Sequence, residues 1–178
     1  MMPTVTPQLK AMSASMERTV IPALPAESTF VREQAGVILA TLNWLLDVHE
    51  SEYRYEVTEA QDYRGLLGAL LEVEGAEQSP QSAPIREVLA ESPAESGPTA
   101  GDLGKVREQG RRMKELAAAF LASADECGLE AHQTARRLVL AVAERQATRE
   151  QAWYRSTGFI LDNPGDIATV LVEEGSHR

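Results

Sequence analysis

The sequence predicts an all-α protein. Residues that favour helices, namely alanine, leucine, glutamate, glutamine and arginine, dominate it, whereas alternating runs of β-branched residues are scarce. Apolar side chains also recur every three or four positions over long stretches, as they do on the buried face of a helix. The clearest such series comprises Val31, Ala35, Ile38, Leu42, Leu45 and His49. Its alternating steps of four and three residues indicate a seam between the packed helices of a bundle.

The first helix is predicted to run from Pro7 to about Val20. Thr6 can cap it, and a proline suits the first helical position because the amide hydrogen it lacks would have no partner there. The apolar stripe of this helix consists of Leu9, Met12, Met16 and Val20. Pro22 and Pro25 are expected to end it.

The helix that carries the seam is predicted to begin at Ser28 or Thr29, but its end is open. Between Gly36 and Gly65 the chain contains neither proline nor glycine. One helix continuing to Glu74 would be about 70 Å long, at 1.5 Å per residue, which exceeds a compact domain of this size. A break near residues 51–58 is therefore favoured, and the capping-box pattern Thr-Glu-Ala-Gln in that region supports it.

Residues 76–101 differ in composition from their flanks. Two stretches, 78–84 and 92–101, are rich in proline, serine and glycine, as flexible connections are. Between them, residues 85–89 could form one helical turn. We therefore expect a single all-helical domain over residues 1–178, in which 76–101 is a flexible internal linker.

Two long helices are predicted after this linker. The first is capped by Asp102, runs to about Glu126 and ends at Gly128. Its heptad seam comprises Leu103, Val106, Gly110, Met113, Ala117, Phe120, Ala124 and Cys127. The second helix runs from about Leu129 to Thr157. Its inward stripe comprises Ala135, Leu138, Val139, Val142, Gln146, Arg149 and Trp153.

The C-terminal segment predicts one short helix. Gly158 is a candidate cap for the preceding helix, and Asn163 followed by Pro164 is typical of a helix start. The short helix would span Gly165 to Glu174. Its inward side chains would be Ile167, Val170 and Leu171. Together the elements predict an antiparallel helical bundle, in which a long crossover rich in proline, serine and glycine joins two helical hairpins, with short helices at the termini.

The composition excludes several classes of protein. Cys127 is the only cysteine, so neither an intramolecular disulfide nor a multi-cysteine zinc site is possible. The most apolar stretch, residues 37–46, is about half of the roughly 20 residues that a bilayer-spanning helix needs. Residues 1–30 lack the basic start and apolar run of a signal peptide. We therefore expect a cytoplasmic protein with no membrane partner.

The charge argues against nucleic acid as a partner. The formal net charge is −10, whereas binding to DNA or RNA depends on neutralising phosphates. Most of the excess acid lies in residues 1–100, and residues 101–155 are slightly basic. We interpret the basic segment as packing against the acidic one.

A polar cluster interrupts the apolar seam around His49. The side chains that fall on or beside one helical face there are His49, Glu52, Tyr53, Glu56 and Tyr63. Buried polar groups need partners, and Arg107 and Arg111 are candidate counter-charges. The predicted ligand-binding set, in a pocket between helices, is His49, Glu52, Tyr53, Glu56 and Arg111. Alternatively, the seam simply reaches the solvated end of the bundle at this point.

No catalytic, metal or cofactor site is predicted. The di-metal sites of four-helix bundles use two Glu-x-x-His pairs and two further glutamates, and the three histidines of this chain do not supply two such pairs. The sequence also contains neither a glycine-rich phosphate loop nor the Gly-x-Ser-x-Gly motif of a nucleophilic serine.

The N-terminal third resembles a known group of proteins. Residues 20–25 read Val-Ile-Pro-Ala-Leu-Pro, and Phe30 and the alanine-containing run 35–40 follow. This arrangement is similar to the start of some uncharacterised bacterial helical proteins, which share a Val-x-Pro-Ala-Leu segment, an aromatic residue and an alanine-rich helix. The resemblance implies a helical bundle and carries over no catalytic residues.

The expected function is non-enzymatic. The seams favour an accessory or protein-interaction protein that forms a homodimer, since symmetric dimers are the commonest oligomers. A further protein partner is compatible with the same surfaces. The alternative is a bundle that binds a small molecule or a metal, with or without enzymatic activity, through the polar cluster around His49.

Overall fold

The structure is a computed structural model that describes residues 4–96, 101–157 and 165–176. All regular secondary structure within these ranges is helical, so the predicted all-α fold class is confirmed. The α-helices are α1 (Val5–Ser15), α2 (Ile21–Ala23), α3 (Thr29–Val48), α4 (Glu52–Leu71), α5 (Ser82–Ala90), α6 (Leu103–Ser123), α7 (Leu129–Trp153) and α8 (Ile167–Ser176). In these ranges no helix combines the length and the apolar character needed to cross a membrane.

The chain divides into two compact units. Unit 1 comprises Met1–Ser51 and Arg149–Arg178, and unit 2 comprises Glu52–Thr148. One boundary therefore falls in the turn after α3 and the other within α7. The single domain expected from the sequence stays a prediction.

The first helix of unit 1 starts earlier than predicted. Thr4 precedes it, and Thr6 lies in its first turn, so the cap assigned to Thr6 is wrong. The Thr6 hydroxyl instead donates to Glu50 Oε1 at 2.7 Å, beyond the end of α3. Pro7 still falls in the first helical turn, where a missing amide hydrogen costs little. After α1 the helix continues through a π-helical turn, Met16–Val20, into α2.

Helices α1 and α3 of unit 1 run antiparallel. The Thr6 contact with Glu50 lies at one end of the pair, and Ser13 donates to Asn43 at 2.6 Å nearer the middle. Positions along α3 thus fall as those along α1 rise. The Arg32 guanidinium donates to main-chain carbonyl groups of residues 21 and 24, and it thereby satisfies acceptors at the end of α2.

The break after α3 is confirmed. The helix ends at Val48, the Ser51 amide donates to the Val48 carbonyl at 2.9 Å in a turn, and α4 begins at Glu52. The chain therefore breaks just before the predicted region. Thr58 lies buried inside α4, so the capping-box interpretation is wrong.

Helices α4 and α6 of unit 2 run parallel. Glu52 binds Arg107 and Glu59 binds Lys114, so both partners advance by seven residues in the same direction. Gly110 faces α4, and a Cβ at this position would lie only 4.0 Å from the Ala60 Cβ, so a small residue suits the contact. Parallel neighbours need a long connection, and the segment after α4 provides it.

The predicted seam of α6 is buried. Val106, Met113 and Phe120 are fully buried in a hydrophobic core that also contains Leu67 and Leu70 of α4. Gly110, Ala117 and Ala124 are buried as well, whereas Leu103 and Cys127, at the two ends of the predicted seam, are half-buried. The seam is thereby confirmed from Val106 to Ala124, and the α-helix itself ends at Ser123. Asp102 also caps it as predicted, since its carboxylate accepts the Lys105 amide hydrogen at 3.1 Å.

Two glycines of unit 2 have positive φ values. Gly128 follows the 3-10 turn that extends α6, Ala124–Cys127, and ends this helical segment as predicted. Gly75 lies in the turn four residues after the end of α4, so it does not end that helix. Their φ values of +102° and +78° are ones that side chains disfavour. A Cβ at Gly75 would also lie 3.1 Å from the Cys127 carbonyl oxygen. Cys127 is half-buried there, and burial raises the pKa of its thiol, as suits a packing role.

The segment after α4 contains more structure than the single turn predicted for it. Helix α5 spans nine residues. Arg64 donates to the carbonyl groups of Leu89 and Glu91 at 3.0 Å, which satisfies acceptors at its C-terminal end. Gln109 of α6 accepts the Ala94 amide hydrogen at 2.9 Å. The flexibility of residues 76–101 stays a prediction.

The C-terminal helix forms as predicted. Ile167, Val170 and Leu171 are buried, and Asp166 caps the helix by accepting the Thr169 amide hydrogen at 2.9 Å. Helix α8 starts and ends two residues later than expected. The predicted cap at Gly158 and the Asn163–Pro164 start lie outside the described residues.

Candidate functional site

Arg107 of α6 binds two acidic side chains of α4. Its Nη2 lies 2.6 Å from Glu52 Oε1, and its Nε lies 2.8 Å from Glu56 Oε1. The two acids share one helical face because they are four residues apart. Hydrogen bonds to Glu56 and then to Glu52 raise the pKa of Arg107 above its usual value. Beside this group, the Tyr53 phenol oxygen accepts the Gly101 amide hydrogen at 2.9 Å.

Two further acids of α4 are almost fully buried. Glu59 accepts a hydrogen bond from Lys114 Nζ at 2.6 Å, and Asp62 accepts one from Arg145 Nη2 at 3.2 Å. Lys114 Nζ also lies 5.6 Å from the centroid of the Tyr63 ring. Each buried carboxylate thus has a cationic partner that itself reaches solvent. Acidic side chains of α4 thus connect it to both α6 and α7.

His49 lies in unit 1, at the end of α3. Its Nδ1 donates to the Leu45 carbonyl at 2.8 Å, and its Nε2 lies 3.0 Å from the Thr6 hydroxyl. The ring is largely buried. These contacts hold the first turn of α1 against the C-terminal end of α3.

Arg111 binds neither Glu52 nor Glu56, the acids with which it was grouped in the predicted ligand-binding set. Its guanidinium lies 2.6 Å from Glu108 and 2.5 Å from Glu115, both on its own helix. Arg107 is the counter-charge of these two acids instead. The signal was present in the sequence: Arg107 precedes the seam residue Gly110 by three positions and so borders the seam, whereas Arg111 follows Gly110 directly and is rotated about 100° away.

Ligand binding by these residues stays a prediction. The structure places Glu52, Tyr53, Glu56 and Arg111 in unit 2 and His49 in unit 1. Among the described residues, no group of three or more His, Cys, Asp or Glu side chains is placed to hold a metal ion.

Replacing Arg107 by glutamine should destabilise unit 2 more than the same change at Arg111. Arg107→Gln removes two ion pairs between helices. Because Arg107 is half exposed and screened by solvent, we expect a loss of only about 0.5–1 kcal/mol in the free energy of unfolding, and a smaller loss in high salt. Arg111→Gln removes two exposed ion pairs within one helix and should cost less than Arg107→Gln. Urea denaturation followed by circular dichroism checks this, and equal losses would contradict the α4–α6 pairing.

Unit 1 contains a buried ion pair between α7 and α8. Arg149 is fully buried, and its Nη1 donates to Glu174 Oε2 at 2.7 Å. The sequence predicts the inward position of Arg149 from the stripe of α7, but it does not identify the acid that meets it. Glu174 follows Ile167 by seven residues, so it shares the buried face of α8.

Unit 1 also exposes an apolar surface on α3. The predicted seam of this helix is only half covered, because Ala35 and Leu42 are buried while other seam positions reach solvent. We define the α3 apolar face as the four exposed residues Phe30, Val31, Val37 and Ile38. Asn43, which meets Ser13 of α1, lies about 140° around the helix from Ile38. Helix α1 therefore packs on another side of α3.

No protein family, curated protein or solved structure matches this chain at a significant level.

Proposed function

We propose that this chain is a non-enzymatic protein-interaction protein that forms a homodimer through the α3 apolar face. The supporting observation is the exposure of its four large side chains: 69% for Phe30, 48% for Val31, 55% for Val37 and 51% for Ile38. Contiguous apolar patches on a protein surface commonly mark interaction sites, because leaving them in water is unfavourable.

The spacing of these residues favours a second helix as the occupant. Phe30 and Val37 are seven residues apart, as are Val31 and Ile38, so the face consists of two columns with the seven-residue repeat of a coiled coil, about 100° apart around the helix. The exposed Gln34 lies between the two columns. Thr41 borders them, and its hydroxyl donates to the Val37 carbonyl at 2.9 Å within the helix. A second copy of α3 would present the same repeat and the same width.

The charge of the region also favours a second copy. The chain as a whole is strongly acidic, but no member of the α3 apolar face is ionisable. Arg32 is directed to the end of α2, where it donates to carbonyl groups, and Glu33 lies at the rim of the face. Two copies related by a twofold axis would therefore join uncharged surfaces, with little of the repulsion that their net charge produces elsewhere.

A charge placed on the face tests the proposal. Ile38→Lys would put an unpaired ammonium on both sides of the twofold interface, and we expect the dissociation constant to rise roughly a hundredfold or more. Gly36→Lys is the matched control, because Gly36 is exposed on the same helix about 160° around from Ile38 and 100° from Val37, and a Cβ added there would lie in open space. Sedimentation velocity across a range of concentrations measures both variants against the unmodified chain.

The expected result is a dimer for the unmodified chain and for Gly36→Lys, and a monomer for Ile38→Lys. A chain that stays monomeric at high concentration would contradict the homodimer. Dissociation by Gly36→Lys to the same extent as by Ile38→Lys would contradict the assignment of the interface to the α3 apolar face.

A further inference from the structure

Gln34 stands at the centre of the α3 apolar face. It follows Phe30 and precedes Ile38 by four residues each, and it lies three residues from Val31 and from Val37. Residues three and four apart are neighbours on a helix surface, so the four apolar side chains surround Gln34. Its side chain is exposed and uncharged. Because an amide both donates and accepts hydrogen bonds, it can pair reciprocally with the same residue of a second copy.

Unit 1 itself covers the continuation of the face along α3. The column of Phe30 and Val37 reaches Trp44 after seven further residues. The Trp44 indole donates to the Trp153 carbonyl at 3.0 Å, and the Tyr154 ring stacks on it with the ring centroids 6.0 Å apart. The end of α7 and the residue after it thus close this column towards the C-terminal end of α3.

The other column is closed at the same end of α3. It continues from Ile38 to Leu45, which is half-buried. Val48, which lies five full turns after Phe30 on the same side of the helix, is buried. The α3 apolar face therefore has an open end, towards Phe30, and a closed end, towards Trp44.

This difference between the ends distinguishes the two ways in which a second α3 can lie on the face. In a parallel pair the closed ends of both copies lie at the same level, so the segments that cover them would compete for the space between the helices. In an antiparallel pair the closed ends lie far apart, and the open half of each helix meets the open half of the other. Antiparallel packing also opposes the two helix dipoles, which is favourable.

We propose that the homodimer is antiparallel and that Gln34 of both copies pairs at the twofold axis. This inference rests on the proposed homodimer. Phe30 of each copy then lies against Val37 of the other, and Val31 lies against Ile38, so all four apolar side chains are covered in both copies. Gln34 makes the face selective for a second copy, because a charged or purely apolar side chain opposite it would leave the amide without a reciprocal partner.

Cysteine cross-linking of mixed chains tests the orientation. All variants also carry Cys127→Ser, so that each chain has one cysteine. In the antiparallel dimer, Ile38 of one copy and Val31 of the other are about 1.5 Å apart along the helix axis, whereas Ile38 and Val37 are about 10 Å apart. A parallel dimer reverses these two separations.

The expected result follows from the reach of a disulfide, which needs Cα atoms within about 7 Å of each other. Oxidised with diamide, the Ile38→Cys chain should form a mixed disulfide with the Val31→Cys chain at least about tenfold faster than with the Val37→Cys chain. Gln34→Cys should cross-link with itself, because the twofold axis passes beside this residue. Mass spectrometry of the unreduced products identifies each pair.

A charge at the axis tests the role of Gln34 separately. Gln34→Glu would bring two carboxylates together in the dimer, and we expect the dissociation constant to rise at least about tenfold. Gln8→Glu is the matched control, because it adds the same charge at an exposed position of α1. Sedimentation velocity measures both variants.

The outcomes separate this inference from the homodimer. A chain that is monomeric at every concentration would contradict the homodimer and this inference with it. A dimer in which Ile38→Cys reacts faster with Val37→Cys, or with neither chain, would overturn the antiparallel arrangement alone. A Gln34→Glu variant that dimerises as tightly as Gln8→Glu would overturn the position of Gln34 at the axis.

Discussion

Truncating Phe120 to alanine is expected to lower the free energy of unfolding by about 3–5 kcal/mol. Phe120 lies fully buried in the seam of α6, in the same core as Leu67 and Leu70 of α4. Removing the ring loses its transfer free energy from water and leaves a cavity that close-packed neighbours fill only in part. Chemical denaturation monitored by circular dichroism measures the loss.

Leu129→Ala is the matched control for this prediction. Leu129 is a large apolar residue of the same unit, but it is 73% exposed at the start of α7. Its truncation should change stability by no more than about 0.5 kcal/mol. If both truncations cost the same, the core of unit 2 would not be where the structure places it.

Removing Glu174 should also cost about 3–5 kcal/mol, because Glu174→Ala leaves the buried guanidinium of Arg149 without this carboxylate. The double variant Arg149→Met with Glu174→Leu should recover most of that loss, since it removes both charges and fills the same space. Both tryptophans, Trp44 and Trp153, lie in unit 1, so tryptophan fluorescence during denaturation reports on this unit.

Glu173→Ala provides the comparison for the ion pair. Glu173 is exposed on α8, next to Glu174 in sequence, and its loss should have little effect on stability. A double variant as unstable as Glu174→Ala alone would show that the loss comes from the packing of α8 and not from the buried charge of Arg149.

Several elements could be predicted from local features of the sequence. The heptad spacing of α6 identifies its buried side chains from Val106 to Ala124. The break after Val48 follows from length, because one uninterrupted helix would exceed a compact domain. Gly128 ends the helical segment that follows α6 because glycine adopts a positive φ value without strain.

Other expectations failed because they depend on contacts distant in sequence. Thr6 has the composition of a cap, but its hydroxyl is used by Glu50, which lies far along the chain. Arg111 has the right charge, but Arg107 stands closer to α4 by its position around the helix. The local sequence identifies side chains that can cap a helix or form an ion pair, and the neighbours in the folded structure determine which of them do so.

The sequence by itself determined the fold class, the long helices and the apolar side of each, because these follow from local propensity and from a repeat of 3.6 residues. Only the tertiary structure decided what covers each side. Periodicity is the same whether an apolar stripe meets another helix or solvent, so the seams of α3 and α6 look alike in sequence. One is half exposed and the other is buried. The pairing of Arg149 with Glu174 was likewise decided in three dimensions, because the free energy of a buried charge depends on the group that folding brings beside it.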